Sequence, residues 1–191
     1  MTEINDTIDR MPAALQRFIL KWGDMGSQWG VNRSVAQIHA LLYISETPLN
    51  AEQISHTLGI ARSNVSNSLK ELQTWRIIER VPIPGDRRDH FTAETDVWEI
   101  AVRIAAVRKQ REIDPALDTL DLCAKEAADD SRVSAQQRER IENMQKFVHA
   151  MDHWYSQMLT FPSATLLRMV RMGDRIVSML GLAGKKKEYG A

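Results

Sequence analysis

Apolar residues recur every three or four positions along most of the chain, a spacing that predicts a mainly helical protein. Pro12 can open the first helix, whose apolar side carries Phe18 and Trp22. Ser34 can cap a second helix, which ends near Thr47. Both helices precede the stretch in which the pattern is most specific.

Two helices joined by a tight turn are predicted next. Asn50 can cap the first of them, Gln53 sits where it completes a capping box, and Gly59 supplies the left-handed residue that ends the helix. The second helix, residues 62–75, has an apolar face formed by Val65, Leu69, Leu72 and Trp75. This arrangement is typical of a helix-turn-helix.

A β-hairpin is predicted directly after these helices. Residues 77–83 form its first strand, and Pro82 confines that strand to the edge of a sheet. Residues 84–86 make the turn, and residues 90–93 return as the second strand. A helix-turn-helix followed by a hairpin is the order of elements in a winged helix. Its second helix, the recognition helix, enters the DNA major groove, and its hairpin, the wing, reaches along the backbone.

Long helices are predicted on the C-terminal side of the wing. Thr95 or Asp96 can cap the first. Asp114 can restart it as an N-cap, followed by Pro115 at the first helical position. Residues 129–134 predict a loop. Pro162 breaks the following helix, and Ser163 can cap a last one. The helix between them carries an apolar stripe, which consists of Ile141, Met144, Val148, Met151, Tyr155 and Met158.

Composition restricts the class of protein. The chain has 191 residues, a formal net charge of zero and a single cysteine, Cys123, and it has no apolar run long enough to span a membrane. One cysteine cannot form an internal disulfide, and residues 1–15 lack the regions of a secretion signal, so we expect a cytoplasmic protein without membrane partners. Zero net charge argues against non-specific coating of nucleic acid, but not against basic groups gathered on one face.

The polar face of the recognition helix has the chemistry of a DNA reader. Its members are short hydrogen-bonding groups and two cations: Arg62, Ser63, Asn64, Ser66, Asn67 and Lys70. Asn can pair with adenine, Ser can bond a base edge or a phosphate, and Arg can grip guanine or phosphate. The alternative is a solvated face on a domain that shares the winged-helix shape without touching DNA.

Arg87 and Arg88 stand at or just beyond the tip of the wing. Two arginines on an exposed hairpin fit phosphate binding or insertion in the minor groove. The alternative is that Asp86 or Asp89 neutralises one of them on the surface.

The flanking helices predict a homodimer, because paired recognition helices can engage half-sites about one helical turn apart. Packing of the apolar stripes within one subunit is the alternative. We assign residues 1–46 to N-terminal dimerisation and support helices, and residues 47–95 to the winged helix-turn-helix. Residues 96–184 form a long linker helix and a C-terminal helical region for dimerisation and effector binding. Residues 185–191 are expected to be a disordered tail.

These residues resemble the MarR-type winged-helix regulators, and more closely the branch named for GbsR, the repressor of glycine betaine synthesis. The resemblance rests on LGIARSNVSNSLKELQTWRIIERV, on the wing VPIPGDRRDHFTAETDVWEI and on RKQREIDPAL after it, and it covers residues 18 to about 122. It implies a cytoplasmic homodimeric repressor whose recognition helix spans residues 62–75 and whose wing centres on residues 86–89.

One position departs from the family pattern. Where the family often has a serine that caps the recognition helix, this chain has Ala61, which cannot cap. Either Ser63 takes that role or the start of the helix is less firmly held.

The resemblance also implies a response to small molecules, and the named branch is associated with choline and osmoprotectant metabolism. A quaternary ammonium would be held by cation–π contacts in a cage of aromatic rings. Trp22, Trp29 and Trp98 are candidates for such a cage. The alternative is that these rings pack in the core or in an interface.

The chain offers little for other chemistry. It has no Gly-rich phosphate loop after a strand and no Ser or Cys nucleophile in a recognisable setting. His149 and His153 are spaced to share a metal, but no third ligand follows. We therefore expect no enzyme activity, no cofactor and no metal. Two classes remain: a sequence-specific transcriptional repressor, or a winged-helix module that joins proteins without touching DNA.

Overall fold

The computed structural model describes residues 11–162, 164–170 and 172. It is mainly helical with a small antiparallel sheet, as the apolar pattern predicts. The elements are α1 (Ala13–Gln28), α2 (Arg33–Ile44), β1 (Leu49–Asn50), α3 (Ala51–Leu58), α4 (Arg62–Thr74), β2 (Ile78–Ile83), β3 (Asp86–Ala93), α5 (Val97–Arg108), a π-helical segment (Lys109–Ile113), α6 (Asp114–Asp129) and α7 (Ala135–Thr160). Residues 164–170 are also helical. The predicted cap Ser163 and the predicted tail lie outside the described residues.

The chain divides into two units, Met1–Ile104 and Ala105–Ala191. Helix α2 lies at the centre of the core of the first unit, and most of its own apolar side chains are buried. Fully buried side chains in this core are Ile19, Ile38, Leu41, Leu42, Ile54, Val65, Leu72 and Ile77. They come from five elements or their flanks, so the recognition helix rests on the same core as the N-terminal helices.

Two glycines let α1 approach α2 closely. A Cβ atom built on Gly26 would lie 2.5 Å from Cβ of Ala36, and one on Gly23 would lie 2.5 Å from Cγ of Gln37. Contacts that short do not occur between real side chains. The Cβ of Ala36 cannot rotate away, so the crossing requires glycine at position 26, whereas the flexible Gln37 side chain beside Gly23 can shift.

The helix-turn-helix forms as predicted. Asn50 caps α3, accepting hydrogen bonds from the backbone N–H groups of Glu52 and Gln53 at 3.0 Å each, and the Gln53 side chain closes the capping box. Gly59 ends α3 with φ at 64°, the left-handed conformation that glycine adopts without strain. The angle between α3 and α4 is therefore set by local chemistry at both ends of α3.

Two predicted caps are wrong. Asn32, not Ser34, caps α2, and its side chain accepts the backbone N–H of Ser34. Asp114 caps no helix, because the chain stays helical through the π-helical segment before it. For α5 the sequence predicts either Thr95 or Asp96 as the cap. The Asp96 side chain accepts the backbone N–H of Trp98 at 2.9 Å, so Asp96 takes this role.

The sheet has the strand order β1-β3-β2, with all pairs antiparallel. This places β2 at an edge, as Pro82 predicts. The register pairs Ile78 with Ala93 and Ile83 with Asp86, with an irregularity between Val81 and Ile83. The returning strand therefore starts at Asp86 and not at residue 90, and only residues 84–85 form the turn.

Helix α4 ends on a strained residue. The backbone N–H groups of Arg76 and Ile77 bond back to the carbonyl groups of Gln73 and Leu72, which is the double closure of a Schellman motif. Arg76 has φ at 57°, where glycine is preferred. Its carbonyl accepts a hydrogen bond from Arg103, so α5 is fastened to the end of the recognition helix.

Arg76→Gly should raise the free energy of unfolding by about 0.5–1 kcal/mol, because relief of the left-handed strain exceeds the entropy that glycine adds to the unfolded chain. A denaturant titration measures the difference. Arg76→Ala is the matched control: it removes the same charge and keeps the strain, so it should give no gain. An equal gain in both variants would assign the effect to charge.

The second unit is built from α6 and α7. Ser134 caps α7 with a complete capping box, after the loop that the sequence predicts. The Tyr155 hydroxyl donates to the carbonyl of Ala105 at 3.0 Å, and Asp121 accepts from Gln145 and contacts His149 at 2.7 Å. No residue of α7 is buried. Within the described part of the chain, no helix has the length and apolar character needed to cross a bilayer.

Candidate nucleic-acid interface

Helix α4 has one buried face and one exposed face, as the sequence predicts. Its buried face consists of Val65, Ser68, Leu69 and Leu72. All the candidate DNA-binding residues of this helix are exposed: Arg62, Ser63, Asn64, Ser66, Asn67 and Lys70. The apolar half therefore holds the helix on the core, and the polar half is open to a ligand.

The start of α4 has no side-chain cap. Ala61 occupies the cap position without a hydrogen bond, and Ser63 does not take its place. The first backbone N–H groups of α4 thus lack a side-chain acceptor, and they stand at the positive end of the helix dipole. Such an end favours an anion, including a phosphate.

The two asparagines of α4 differ in their surroundings. Asn64 Nδ2 donates to Oγ of Ser34 at 3.0 Å, which ties α4 to the start of α2. Within the described residues, no hydrogen bond involves the side chain of Asn67 or Ser66. These two side chains are therefore the ones best able to bond a base edge without first losing a partner.

The wing arginines differ in the same way. Arg88 binds Asp86, with Nη2 2.6 Å from Oδ2 and Nε 3.0 Å from Oδ1. These hydrogen bonds hold the pKa of the Asp86 carboxyl well below its usual range and raise the pKa of Arg88. Asp89 binds Arg80 at 3.1 Å. Among the described residues Arg87 has neither an ion pair nor a hydrogen bond through its side chain. Neutralisation by an aspartate, the alternative for the wing, thus applies to Arg88 and not to Arg87.

A groove of about 500 Å³ lies between α4 and the wing. Its charged lining is mixed, with Arg62, Lys70 and Arg88 facing Glu52 and Asp89. The groove brings together residues that are far apart in the sequence, so one ligand can touch the recognition helix and the wing at once.

His90 anchors the wing to the helix-turn-helix. It is 4% exposed, its Nδ1 lies 3.0 Å from the carbonyl oxygen of Arg88, and its Nε2 lies 3.4 Å from Nδ2 of Asn50. Nδ1 can donate to that carbonyl while Nε2 accepts from the Asn50 amide. The residue that caps α3 therefore also supports β3.

A second cavity, of about 170 Å³, lies between aromatic side chains of α1 and α2 and aliphatic side chains of α5. Its lining consists of Phe18, Trp22, His39, Ala40, Tyr43, Val97 and Ile100. Of the three candidate cage residues, only Trp22 lines it. Trp29 is 61% exposed, and Trp98 is half-buried elsewhere.

His39 places a buried imidazole in the lining of this aromatic cavity. It is 4% exposed, and no hydrogen-bond partner of its Nε2 is found among the described residues. Burial lowers the pKa of His39 to about 4, so the imidazole is neutral at pH 7. The centroids of the His39 and Trp22 rings are 6.4 Å apart, and those of His39 and Tyr43 are 6.3 Å apart.

Residues 29–89, which contain the helix-turn-helix and most of the wing, match the family model of the MarR family. The winged helix of this chain is therefore similar to that of the MarR family. The match ends at Asp89, so it includes all the candidate DNA-binding residues of α4 and of the wing.

The curated relatives of this chain are distant. It is 21% identical over 99 residues to the HTH-type transcriptional repressor OpcR of Bacillus subtilis, covering 52% of this chain and 54% of that protein. It is 20% identical over 99 residues to YvaV of the same organism, a candidate HTH-type transcriptional regulator, covering 52% and 56%. The chain thus spans about half the length of the curated relatives it matches.

A solved structure shares the fold over a longer stretch. The crystal structure of a transcriptional regulator superimposes with a TM-score of 0.59 at 18% identity, covering 76% of this chain and 95% of that one. The likeness concerns the MarR-type fold alone.

Sequence reasoning missed three residues at these sites: Glu52 in the groove, His90 under the wing and His39 in the aromatic cavity. Alternation along β3 could have placed His90 on the inward side. Glu52 and His39 give no signal of this kind, because the arginine partners of Glu52 lie on α4 and β3 and the cavity beside His39 is lined in part by α1 and α5.

Proposed function

We propose that the protein is a sequence-specific transcriptional regulator, a cytoplasmic homodimeric repressor that inserts α4 into the major groove. The wing lies on the DNA backbone or in the minor groove. The observation that carries this proposal is the exposed polar face of α4, which borders one groove together with a wing arginine. OpcR, a relative over half its length, is named as a transcriptional repressor, and this agrees with the proposal.

We propose different roles for the interface residues on the basis of their contacts. The open N-terminus of α4 and Arg87 would bind phosphates or the minor groove, because neither has a side-chain acceptor among the described residues. Ser66 and Asn67 would read base edges. Arg62, Ser63, Asn64, Lys70 and Arg88 complete the proposed surface.

Exposed apolar residues support the homodimer. On α7 they share one face of the helix at three- and four-residue steps: Met144, Phe147, Met151 and Trp154. On α1, Leu15 and Leu20 are 37% and 40% exposed. A contiguous apolar stripe of this kind is costly in water and typically marks an interface. The N-terminal region and the C-terminal helices are the proposed dimer surfaces, and sedimentation equilibrium measures the mass of the assembly.

Fluorescence anisotropy with labelled genomic duplexes tests the proposed function. A regulator should bind DNA with an affinity that falls steeply as salt rises from about 50 to 200 mM, because phosphate contacts release counterions. Salt-independent or absent binding to every duplex would favour the alternative, a winged-helix module that binds proteins.

We also propose that a small effector, such as choline or a related osmolyte, occupies the aromatic cavity and modulates DNA binding, in keeping with the GbsR branch. Three rings, Phe18, Trp22 and Tyr43, could surround a quaternary ammonium. The position of the cavity supports this role: its lining includes residues of α5, and Arg103 on the same helix bonds the end of α4.

Trp22→Ala should abolish the heat of choline or glycine betaine binding in isothermal titration calorimetry, since it removes the largest ring of the cavity. Trp29→Ala is the matched control, because Trp29 is exposed and lines no part of the cavity, and it should leave binding intact. Equal loss in both variants would place the effector elsewhere, and no heat with wild-type protein would exclude these osmolytes.

A further inference from the structure

Two basic side chains proposed to meet DNA share one acidic partner, Glu52. One carboxylate oxygen accepts a hydrogen bond from Nη2 of Arg62, and the other lies 3.5 Å from Nη1 of Arg88. Arg62 begins α4 and Arg88 lies on β3, so one carboxylate bridges the recognition helix and the wing. The Glu52 side chain is 54% exposed, so an approaching phosphate can reach all three groups.

The backbone of Glu52 is held in place by the start of α3. Its N–H donates to Oδ1 of Asn50 at 3.0 Å, and Asn50 is 2% exposed. Glu52 lies in the first turn of α3, where the helix dipole stabilises a negative charge. The carboxylate therefore stays beside the groove whatever its arginine partners do.

Exposed ion pairs are weak, so DNA phosphates can displace Glu52 from both arginines. After the displacement, a fixed negative charge faces the negatively charged backbone. That repulsion adds to the loss of the two ion pairs, and dissolved salt screens it.

We infer that Glu52 limits the affinity of the protein for DNA: it competes with phosphate for Arg62 and Arg88, and it repels the backbone once displaced. This inference rests on the proposed DNA-binding function. It differs in sign from base reading by Glu52, since a glutamate that accepts from cytosine would add affinity.

Glu52→Gln tests the inference, because it removes the charge while preserving the length of the side chain and the backbone bonds of the cap. Anisotropy titrations at about 100 mM salt should show about fivefold tighter binding both to a genomic duplex and to a random-sequence duplex. The gain should shrink at about 300 mM salt as screening increases. Thermal melting followed by circular dichroism should show a folded variant.

Two further variants sharpen the result. Glu46→Gln removes the same charge from an exposed position outside the groove and should not change DNA affinity. In an Arg62→Gln background, the gain from Glu52→Gln should be smaller than in the wild-type background, because one of the two competing pairs is already absent.

The outcomes separate this inference from the proposed function. Wild-type protein that binds DNA, with a Glu52→Gln variant that binds no tighter, would overturn the inference and leave the function standing. An equal gain in Glu46→Gln, or an undiminished gain in the Arg62→Gln background, would also overturn it. Wild-type protein that binds no duplex would overturn both.

Discussion

Arg87→Ala is expected to weaken binding to every duplex by about tenfold or more. Among the described residues Arg87 has no partner that must be given up, and it lies on the wing beside Arg88, which is already engaged by Asp86 and Glu52. Arg87 should therefore supply the larger part of the wing's interaction with the backbone or the minor groove. The loss should be uniform across sequences, because phosphate contacts position the protein without reading bases.

The salt dependence of affinity provides a second readout of the same variant. The slope of log K against log salt should become shallower by about one for each arginine that leaves a phosphate. Arg132→Ala is the control, because it removes an exposed arginine, paired with Asp130, from the loop before α7. Equal losses in the two variants would indicate a general charge effect, and an unchanged affinity in Arg87→Ala would remove the wing from the interface.

Lowering the pH from 7 to 4 is expected to reduce the free energy of unfolding by about 3 kcal/mol through His39 alone. Burial lowers the pKa of this imidazole from 6.5 to about 4. Between those values the unfolded chain binds a proton that the folded chain does not. The stabilisation is therefore complete above pH 6.5, and it is lost as the pH falls towards 4.

His39→Leu should remove this contribution and flatten the pH profile of stability, which urea titrations between pH 4 and pH 7 would measure. The substitution also eliminates a buried Nε2 that has no partner, so stability at pH 7 should not collapse. His153→Gln replaces an exposed histidine of α7 and controls for the loss of a histidine as such. If His39→Leu kept the wild-type pH profile, His39 would not be the group responsible.

The winged helix could be predicted from sequence where local chemistry decides the structure. Asn50 and Gln53 form their capping box within four residues, and Gly59 ends α3 through its own backbone freedom. The apolar face of α4 follows from helical period, and the edge position of β2 follows from the missing N–H of Pro82. Each of these features depends on neighbours in the chain.

The features that sequence missed depend on distant partners or on register. The sequence pattern predicts that β3 starts at residue 90, but the strand starts at Asp86, which pairs with Ile83. The register of a hairpin cannot be read from its composition. Ser34 is a residue type that often caps helices, but Asn32 lies two residues earlier, and its side chain accepts the backbone N–H of Ser34. Glu52 meets Arg88 across 36 positions. His39 lies beside Trp22 of α1 as well as Tyr43 of its own helix, so neither role follows from the local pattern.

The split between the two wing arginines shows what the structure adds to the candidate site. Sequence identified Arg87, Arg88 and two neighbouring aspartates but could not pair them. Side-chain geometry pairs Arg88 with Asp86 and leaves Arg87 open. The same holds for α4, where Asn64 is engaged by Ser34 and Asn67 is not. Predictions of affinity and of specificity can therefore be assigned to different residues.

Selection of binding sites from a random duplex library, with wild-type protein and with Asn67→Ala, tests the central claim most directly. If α4 lies against base pairs, the wild type should enrich one motif with two half-sites about one helical turn apart. Asn67→Ala should keep the spacing and lose preference at one base pair of each half-site, at a cost of about 1–3 kcal/mol on the original motif. An unenriched library, or the same motif from both proteins, would contradict base reading by this helix.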